Sequence, residues 1–568
     1  MRLGWVAIAV ILWVSAVAPQ EPGRPNVMLV TVDALRADRL RPDLAPALAA
    51  LAARGVRFER MYAHAPATLP SHASVLTGLL PPSHGVRNDG FRLDDTVVTL
   101  AELLQANGYR TGAFVGSSLL DVRYGLDQGF DEYDDRYEAS ASDNVAMAER
   151  PAADVLKAAA SWIARQREPW FTWIHLADPH APYEAPARRR QGYDGEVAYV
   201  DETLGRFLNG LPQGLINRVM VIVTGDHGES LGDHGERTHG LFAYDATLRV
   251  PLVIAGPGIT PRVVAGVASH VDVMPTILAL TGSAARASDG RSLVPLLKGE
   301  QLPDRPVYFE ALDASLTRGW APLTGVVAEG WKFIDLPMPE LYDLAADPHE
   351  RTNRLDGNRQ RSVHMRDLTM RLRTTAPRAD GTGPLAEPEA RARLRSLGYV
   401  GSASWRLGAW RVEDDPKRLL DLHLRFERAR DIASRDPHAA IAELRAVIAR
   451  RSDFAAAYDV AGALLVATGH PRDAVALLSE ARLGGLRHQM LAVRLAEALI
   501  AAGDPGSAID VLAAVVESDD HAVAARYTLA RAYERVGDHA SARQHLVGVL
   551  RIDPTFPAAQ ALLESLRP

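Results

Sequence analysis

The sequence predicts an α/β domain, built on a mostly parallel sheet flanked by helices, followed by an all-α solenoid. Two observations predict this division. From about residue 24 to residue 345, continuous apolar runs such as 27–32, 110–115, 171–176, 219–224 and 250–255 alternate with helical stretches and Gly/Pro-rich loops. Runs of this kind are typical of parallel strands covered by helices on both faces. From about residue 416 onward the chain is rich in Ala, Leu and Arg and reads as helix throughout. The total of 568 residues is itself too long for one ordinary domain.

The helical region repeats with a period of 34 residues. Small residues recur at this spacing in three sets, which are Gly469, Gly503 and Gly537; Ala440, Ala474, Ala508 and Ala542; and Gly462, Ala496 and Ala530. Small residues at fixed places let paired helices approach closely, and a glycine ends the first helix of each pair. The period resembles tetratricopeptide repeats, with Pro554 at the usual repeat end, and indicates about three and a half repeats. Such an array implies a protein or peptide partner.

Composition excludes several classes of protein. The chain contains no cysteine, so disulfides, thiolate metal sites and a cysteine nucleophile are excluded. The net charge of −7 gives no indication of a nucleic-acid partner, which would call for a basic surface.

The first residues resemble a secretory signal. Arg2 precedes an apolar run, residues 3–14, and the small residues Ser15 and Ala16 follow. The run is short for a membrane span, which needs about 20 apolar residues, although an uncleaved N-terminal anchor remains open. We therefore expect export to the periplasm or the extracellular space, with a possible membrane anchor.

The predicted boundaries are residues 1–22 for the signal or anchor, 24–345 for the catalytic domain, 346–415 for a remnant subdomain and linker, and 416–565 for the repeats. The segment 376–384 is rich in Gly and Pro and is typical of a linker. A short helix is expected over 387–397, with Trp405 and Trp410 docking the junction.

Three segments carry side chains that could bind a metal ion or take part in catalysis. Two apolar strands end in Asp33 and in the pair Asp226-His227, which places these residues at the carboxyl edge of the sheet, where ligands bind in open α/β folds. A carboxylate beside an imidazole there is a plausible metal pair. In the third segment, Pro70 and Gly78 bracket a short helix that starts near Thr68. Free backbone N–H groups at that helix terminus would favour an anion.

In combination, these segments resemble the sulfatase branch of the alkaline phosphatase superfamily over residues 24 to 350. The resemblance implies a mixed, mostly parallel sheet of the alkaline-phosphatase type. Further matching motifs are Asp178-Pro-His180-Ala-Pro-Tyr183, Gly225-Asp-His-Gly-Glu229, Leu231-Gly-Asp-His-Gly235, His239-Gly240, Arg249-Val-Pro-Leu252, Gly256-Pro-Gly258, and Glu340-Leu-Tyr-Asp-Leu344 with Asp347-Pro348. Bacterial proteins of this type also carry tetratricopeptide arrays after the catalytic domain.

The resemblance implies a role for each matching residue. Asp33, Asp226, His227 and Thr68 would bind a divalent metal (zinc, manganese, calcium or magnesium), and Thr68 would be the nucleophile. His180 and His239 would be catalytic, acting on the leaving group or the substrate oxygens. Asn88 and His72 would contact substrate. A second ion could use Asp178, His180, His234 and His239, but we favour a structural role for Asp233 and His234.

Two departures from the family pattern bear on the reaction. Sulfatases oxidise Cys or Ser to formylglycine and carry Arg four residues later, whereas this chain has Thr68 and His72. Threonine cannot give that aldehyde, so an ester on Thr68 must be displaced by water, which suits phosphorus. Ala34 also replaces a second metal-binding Asp found in many sulfatases.

We therefore expect an exported metal-dependent hydrolase that cleaves phosphate or sulfate esters, small or polymeric, through Thr68. The alternatives are a sulfuric-ester hydrolase that works without formylglycine and a phosphoryl- or phosphoglycerol-group transferase. A third alternative is a non-catalytic scaffold whose repeats bind a protein.

Overall fold

The computed structural model describes residues 24–89, 91–136, 149–183, 191–374, 410–486, 489–518, 522–552 and 556–566. The predicted signal segment 1–22, the linker 376–384, the helix 387–397 and Trp405 lie outside these residues. Among the helices described, none has both the length and the apolar character needed to cross a bilayer.

The N-terminal domain is built around an eight-stranded sheet. Its strands are β1 (Asn26–Val32), β2 (Val56–Tyr62), β3 (Arg110–Val115), β4 (Glu132–Asp134), β5 (Trp170–Leu176), β6 (Val219–Gly225), β7 (Arg249–Ala255) and β8 (Arg262–Ser269). The strand order is β4-β3-β5-β1-β6-β7-β2-β8. Only β7 runs antiparallel to its neighbours, β6 and β2. The predicted mixed, mostly parallel sheet is confirmed, and each of the five apolar runs lies in a strand.

Helices cover both faces of this sheet because its apolar strands have no polar face to leave exposed. The helices are α1 (Pro46–Ala53), α2 (Thr68–Thr77), α3 (Pro81–His84), α4 (Leu100–Ala106), α5 (Ala152–Ile163), α6 (Tyr193–Gly210), α7 (Gln213–Ile216), α8 (Asp245–Leu248), α9 (Val273–Leu280), α10 (Val294–Leu297) and α11 (Asp313–Arg318). Helices α2, α4 and α9 bury Leu69, Leu104 and Ile277 against one face. Helices α1, α5 and α6 bury Leu48, Leu156 and others against the opposite face. Helix α2 is buried along its whole length, from Thr68 to Thr77, against its face of the sheet.

A second, antiparallel sheet follows in the chain. It comprises β9 (Val307–Ala311), β10 (Leu323–Ala328), β11 (Trp331–Asp335) and β12 (Glu340–Asp343) in the order β12-β11-β10-β9. Helix α12 (Arg359–Thr374) packs on it through Met365, which is fully buried against Val326 and Phe333. The boundary predicted at residue 345 therefore separates α12 from the sheet that it covers, and the packed domain extends to Thr374.

The C-terminal region is an array of antiparallel helix pairs. Its helices are α13 (Leu420–Ile432), α14 (Pro437–Arg450), α15 (Ala455–Ala467), α16 (Pro471–Leu483), α17 (Gln489–Ala501), α18 (Pro505–Ser518), α19 (Val523–Arg535), α20 (His539–Ile552) and α21 (Pro557–Ser565). Gly469, Gly503 and Gly537 have φ of 81°, 85° and 83° and end the first helix of three pairs. In the described residues the array holds four pairs and a final helix, one pair more than the sequence indicated. The extra pair, α13–α14, carries Arg435 where the glycine period predicts Gly, so the repeat signal is weaker there.

The helical array packs directly on the catalytic domain. The rings of Trp320 and Phe454 are 5.7 Å apart, and Phe426 lies 5.1 Å from Phe454. All three side chains are buried in one apolar cluster shared by the two domains, against which Trp410 also packs. Arg237, in the loop after β6, donates to Asp431 of α13 at 2.7 Å. The first repeat is thus joined to a loop that also carries residues of the predicted active site.

Candidate active site

Three neighbouring strands and one helix bring the predicted site residues together. Strand β1 lies between β5 and β6, and in this register Thr31 is opposite both His175 and Thr224. Asp33 therefore follows β1 at the same edge where Asp226 and His227 follow β6. Helix α2 presents Thr68 to this edge from above. The structure places Asp33 and Asp226 at the edge of the sheet, as the sequence predicts.

Asp33, Asp226, His227 and Thr68 form a buried cluster. The His227 Nε2 atom lies 3.5 Å from Asp33 Oδ1, 3.8 Å from Asp226 Oδ2 and 3.5 Å from the Thr68 hydroxyl. One ligand atom from each of Asp33, Asp226 and His227 lies within 4.8 Å of the others, which is close enough for one metal ion. All four residues are at most 1% exposed.

Two carboxylate oxygens of the cluster have no hydrogen-bond donor. Asp33 Oδ1 and Asp226 Oδ2 are both buried and unpartnered among the described residues. Burial and the charge of Asp33 raise the pKa of Asp226 well above its ordinary value. Burial and the charge of His239 lower the pKa of His227 to about 3, so its ring is neutral, which is the form that binds metals. Since buried carboxylates are normally paired, these orphaned oxygens fit a site for a divalent cation.

Backbone groups hold the cluster in place. The Ala34 amide donates to Asp226 Oδ1 at 3.0 Å, and the His227 amide donates to the same oxygen at 2.6 Å. Ala34 adopts φ of 53°, and the Tyr193 hydroxyl donates to its carbonyl at 2.7 Å. Ala34, which stands in place of the second aspartate, therefore helps to hold Asp226 through its backbone amide. His227 Nδ1 donates to the Gly228 carbonyl at 2.8 Å, which directs the Nε2 lone pair into the cluster.

Helix α2 begins at Thr68, as predicted, and ends where Gly78 adopts φ of 67°. Its N-terminus is less open to an anion than the sequence suggested. The Leu69 amide donates to Asp89 Oδ1 at 2.8 Å, so this first-turn donor is already satisfied. Burial raises the pKa of Asp89 to about 6. Asp89 therefore orients the helix that carries Thr68.

His180 and His239 stand together beside the cluster, each held by a glutamate. His180 Nδ1 lies 2.8 Å from Glu149 Oε1, and His239 Nδ1 lies 3.1 Å from Glu229 Oε1. The His239 ring is 4.3 Å from His227 and 5.2 Å from His180. Although burial lowers it, the hydrogen bond to Glu149 and the charge of Asp33 raise the pKa of His180 to about 10. A raised pKa favours the charged form of the His180 ring next to the buried carboxylates.

The structure corrects the role predicted for His72. Its ring is fully buried behind Thr68, with Nδ1 2.7 Å from the Thr68 carbonyl and Nε2 2.9 Å from the Thr31 hydroxyl. Both ring nitrogens are therefore engaged within the protein, and neither can reach a substrate. Asn88, the other predicted substrate contact, is 5% exposed and donates to Asp313 Oδ1 at 3.4 Å.

Of the residues considered for a second ion, Asp178 and His234 have other partners within the protein. Asp178 accepts from the Ala152 amide at the start of α5, at 3.0 Å. His234 stacks on Tyr244 with ring centres 3.5 Å apart, and Asp233 pairs with Arg36 at 3.0 Å. These contacts are those expected of the structural role that we favour for Asp233 and His234.

Sequence reasoning missed three residues of the site: His175, Thr31 and Glu149. His175 and Thr31 are polar residues inside otherwise apolar strands, and that interruption is the signal that could have found them. Glu149 lies next to residues 137–148, which the structure does not describe, and nothing in the sequence around it marked it.

Family models match most of the described chain. Residues 25–283 match the model described as Sulfatase, and residues 232–377 match N-sulphoglucosamine sulphohydrolase, C-terminal. Residues 499–566 match the tetratricopeptide repeat model.

Individual proteins show the same similarity. A choline-sulfatase of Rhizobium meliloti is 27% identical over 439 residues, which cover 58% of this chain and 82% of that protein. The multifunctional alkaline phosphatase superfamily protein PehA of Trinickia caryophylli is 34% identical over 204 residues, covering 32% and 39%. In fold, the chain is similar to the phosphonate monoester hydrolase of Agrobacterium radiobacter, with a TM-score of 0.53, 22% identity, and coverage of 62% and 96%.

Proposed function

Since residues 25–283 belong to the sulfatase family, we propose that the protein is a metal-dependent hydrolase that cleaves phosphate esters with Thr68 as its nucleophile. One observation carries the proposal. The Thr68 hydroxyl lies 3.5 Å from His227 Nε2, at the edge of a cluster that contains two unpartnered carboxylate oxygens. Relatives that carry the names of sulfatases and phosphonate hydrolases support ester hydrolysis as the reaction class.

The donor set of this cluster fits a divalent cation. Asp33, Asp226 and His227 would hold it, with the Thr68 oxygen next to them. When bound, such a cation supplies positive charge that lowers the pKa of a hydroxyl group and neutralises anionic substrate oxygens. Carboxylate and imidazole ligands without thiolates are compatible with zinc, manganese, magnesium or calcium, bound as one ion or two.

Thr68 then determines the chemistry. Having lost its hydroxyl proton to solvent, the Thr68 oxygen attacks phosphorus as the alkoxide and forms a Thr–O–P bond while the bond from phosphorus to the leaving oxygen breaks. His180 or His239 gives a proton to that leaving oxygen, because Glu149 and Glu229 hold their rings toward the site. Water next displaces the Thr68 oxygen from phosphorus, and the imidazole recovers its proton from that water.

Sulfate esters are the second candidate substrate. The similarity to a choline-sulfatase favours them at the level of the family. The threonine at position 68 argues against sulfate esters, because it cannot form the hydrated aldehyde that lets sulfatases release sulfate by elimination. An acceptor alcohol in place of water would make the same site a phosphoryl- or phosphoglycerol-group transferase.

A panel of esters tests these alternatives directly. Metal-stripped protein, reloaded with each of the four cations, would be assayed on aryl phosphate diesters, aryl phosphate monoesters, aryl phosphonate monoesters and aryl sulfates. We expect metal-dependent turnover of phosphorus esters, its loss in Thr68→Ala, and partial retention in the control Thr68→Ser, which keeps a hydroxyl. Turnover of sulfates alone would favour the second candidate, and turnover that needs added glycerol would favour the transferase. Full activity of Thr68→Ala, or no metal binding and no activity, would refute the proposal.

We also propose that the repeats bind a protein or peptide and that the enzyme acts outside the cytoplasm. The repeat family supports the first part, and the pattern of Arg2 with the apolar residues 3–14 supports the second. Cell fractionation together with N-terminal sequencing of the purified protein tests the export proposal.

A further inference from the structure

A carboxylate that the proposed reaction does not use, that of Asp313 on α11, lies near the start of helix α2. Its Oδ1 accepts from the side-chain amide of Asn88 at 3.4 Å. The residue after Asn88, Asp89, accepts from the Leu69 amide at 2.8 Å, and Leu69 directly follows Thr68. Asp313 is therefore linked to the first turn of the helix that carries the proposed nucleophile.

The charge of Asp313 reaches the same region as the charges of the proposed metal site. Burial raises the pKa of Asp89, and the charges of Asp33 and Asp313 raise it further. The Asp313 side chain is also partly open to solvent, with 30% of its surface exposed. A phosphate ester is anionic, so an uncompensated carboxylate at this place would repel it. Binding of such a substrate therefore calls for a positive charge beside Asp313.

Arg318, at the other end of α11, supplies that charge. Its Nη2 atom lies 3.1 Å from Asp313 Oδ2, and its side chain is only 8% exposed. The Nε and Nη1 atoms of Arg318 are buried and have no hydrogen-bond partner among the described residues. A guanidinium with two unpartnered donors is costly to bury. Contacts other than hydrogen bonds must therefore help to hold it against Asp313.

An aromatic cage of three rings encloses Arg318, and two of the rings belong to the repeats. The guanidinium carbon lies 5.5 Å from the ring centre of Trp320, 5.9 Å from that of Phe426 and 5.8 Å from that of Phe454. A cation within about 6 Å of an aromatic ring is attracted to it, most strongly where water is excluded. Both phenylalanines are buried. The repeats therefore stabilise a cation whose one ion pair among the described residues is with Asp313.

We propose that the repeats take part in substrate binding by holding Arg318 against Asp313, where it neutralises a carboxylate that would otherwise repel an anionic ester. This inference rests on the proposed function. Arg318 acts only through Asp313, as a positioning residue that keeps a compensating charge in place. The effect is one of charge, because the segment that contains Asn88 has a stronger anchor. Its Arg87 donates to the two carboxylate oxygens of Glu310 at 2.5 and 2.6 Å.

Substitutions at the two ends of this ion pair should shift KM in opposite directions. Arg318→Gln leaves the Asp313 charge uncompensated and should raise KM for an aryl phosphonate monoester by about 3–10-fold, the size expected of one screened unit charge. Asp313→Asn leaves the Arg318 charge uncompensated and should lower KM by about 2–5-fold. The double variant should return KM to the wild-type value, and kcat should change little throughout. A packing defect would neither lower KM nor be corrected by the second substitution.

Two further measurements separate charge from packing. The inhibition constant of inorganic phosphate should shift in parallel with KM, and both shifts should shrink in high salt. The matched control is Arg451→Gln at the same domain junction. Arg451 is a 13% exposed arginine that pairs with Asp414 at 3.3 Å, and its loss should leave KM unchanged.

The contribution of the repeats has its own variant. Phe426→Leu keeps an apolar side chain but removes one ring of the aromatic cage. It should raise KM in the same direction as Arg318→Gln but less, and Asp313→Asn should correct this rise as well. An unchanged KM in Phe426→Leu beside a raised one in Arg318→Gln would refute the part of the repeats.

The same variants distinguish this inference from the proposed function. An unchanged or raised KM in Asp313→Asn would refute the role of Arg318, and that measurement stands even if Arg318→Gln does not fold. An unchanged KM in Arg318→Gln would refute it as well. Neither result touches the proposed function, because the wild type would still hydrolyse its ester. A wild type that turns over no ester at all would refute both.

Discussion

The hydroxyl oxygen of Thr68 lies 3.5 Å from Nε2 of His227, although 159 positions separate the two residues in the chain. Strand β6 ends at the sheet edge and helix α2 begins above it, so the contact follows from the packing of α2 on the sheet. The proposed nucleophile and one of the proposed metal ligands are thereby placed together in a fully buried setting.

Removal of the Asp226 carboxylate should have opposite effects on metal binding and on the stability of the metal-free protein. Asp226→Asn keeps the oxygen that accepts from Ala34 and His227 but replaces the unpartnered oxygen with an amide. Because burial and Asp33 raise the pKa of Asp226, its charge destabilises the metal-free fold at neutral pH. We expect the metal-free variant to be more stable than the metal-free wild type at neutral pH. It should also lose the rise in melting temperature that added metal produces.

Thermal unfolding with and without Zn²⁺ measures both effects of this substitution. Asp43→Asn changes an exposed carboxylate, 71% accessible, and serves as the control. A metal-free Asp226→Asn protein that is markedly less stable than the wild type would contradict the expectation.

The alkaline limb of the pH–rate profile should depend on Glu149. His180 donates a proton only when it is charged, so kcat/KM should be constant below its pKa and fall as the pH rises through it. In the metal-free protein that pKa is raised to about 10, chiefly by the hydrogen bond to Glu149 against the opposing effect of burial. Glu149→Gln removes the charge, so the alkaline limb should move to lower pH by at least about one unit.

Profiles of kcat/KM for the wild type and Glu149→Gln check this directly. Glu132→Gln, at a half-exposed glutamate of β4, should leave the profile where it is. An alkaline limb at the same pH in Glu149→Gln would exclude His180 as the proton donor.

The parts of the fold and of the site that could be predicted from the sequence are those marked by residues adjacent in the chain. Continuous apolar runs predicted the strands, and a strand followed by Asp33 or by Asp226-His227 put those residues at the sheet edge. Thr68 joined them only through the resemblance to a known family. His72 was assigned to substrate from its place in the motif, and only the packing of α2 showed that its ring points inward.

Some features had no local signal at all. The surroundings of His175 depend on contacts among residues 31, 72, 173 and 175, which no linear pattern encodes. The first helix pair was undercounted because Arg435 occupies the position at which later repeats have glycine. The family pattern also places Asp233 and His234 near the metal ligands in sequence, whereas the structure pairs them with Arg36 and Tyr244.

The repeats and the catalytic domain should unfold together. Phe454 is fully buried between Trp320 and Phe426 in the core that the two domains share. Phe454→Ala should cost about 3–5 kcal/mol of unfolding free energy and should lower the temperature at which hydrolase activity is lost. Calorimetry should show one main transition for the wild type. Leu483→Ala, at a side chain that is 89% exposed, is the control and should change neither property. Loss of repeat structure with unchanged heat resistance of the activity would show that the domains are independent.

The central claim is that Thr68 attacks the substrate, and acid-quench mass spectrometry tests it most directly. The zinc-loaded protein would be mixed with an alkyl aryl phosphate diester, quenched during turnover and digested. The account predicts that the peptide containing Thr68 gains the mass of the alkyl phosphoryl group and that Thr68→Ala shows neither the added mass nor turnover. Steady turnover by Thr68→Ala, or a phosphoryl group found on a different residue of the active wild type, would contradict it.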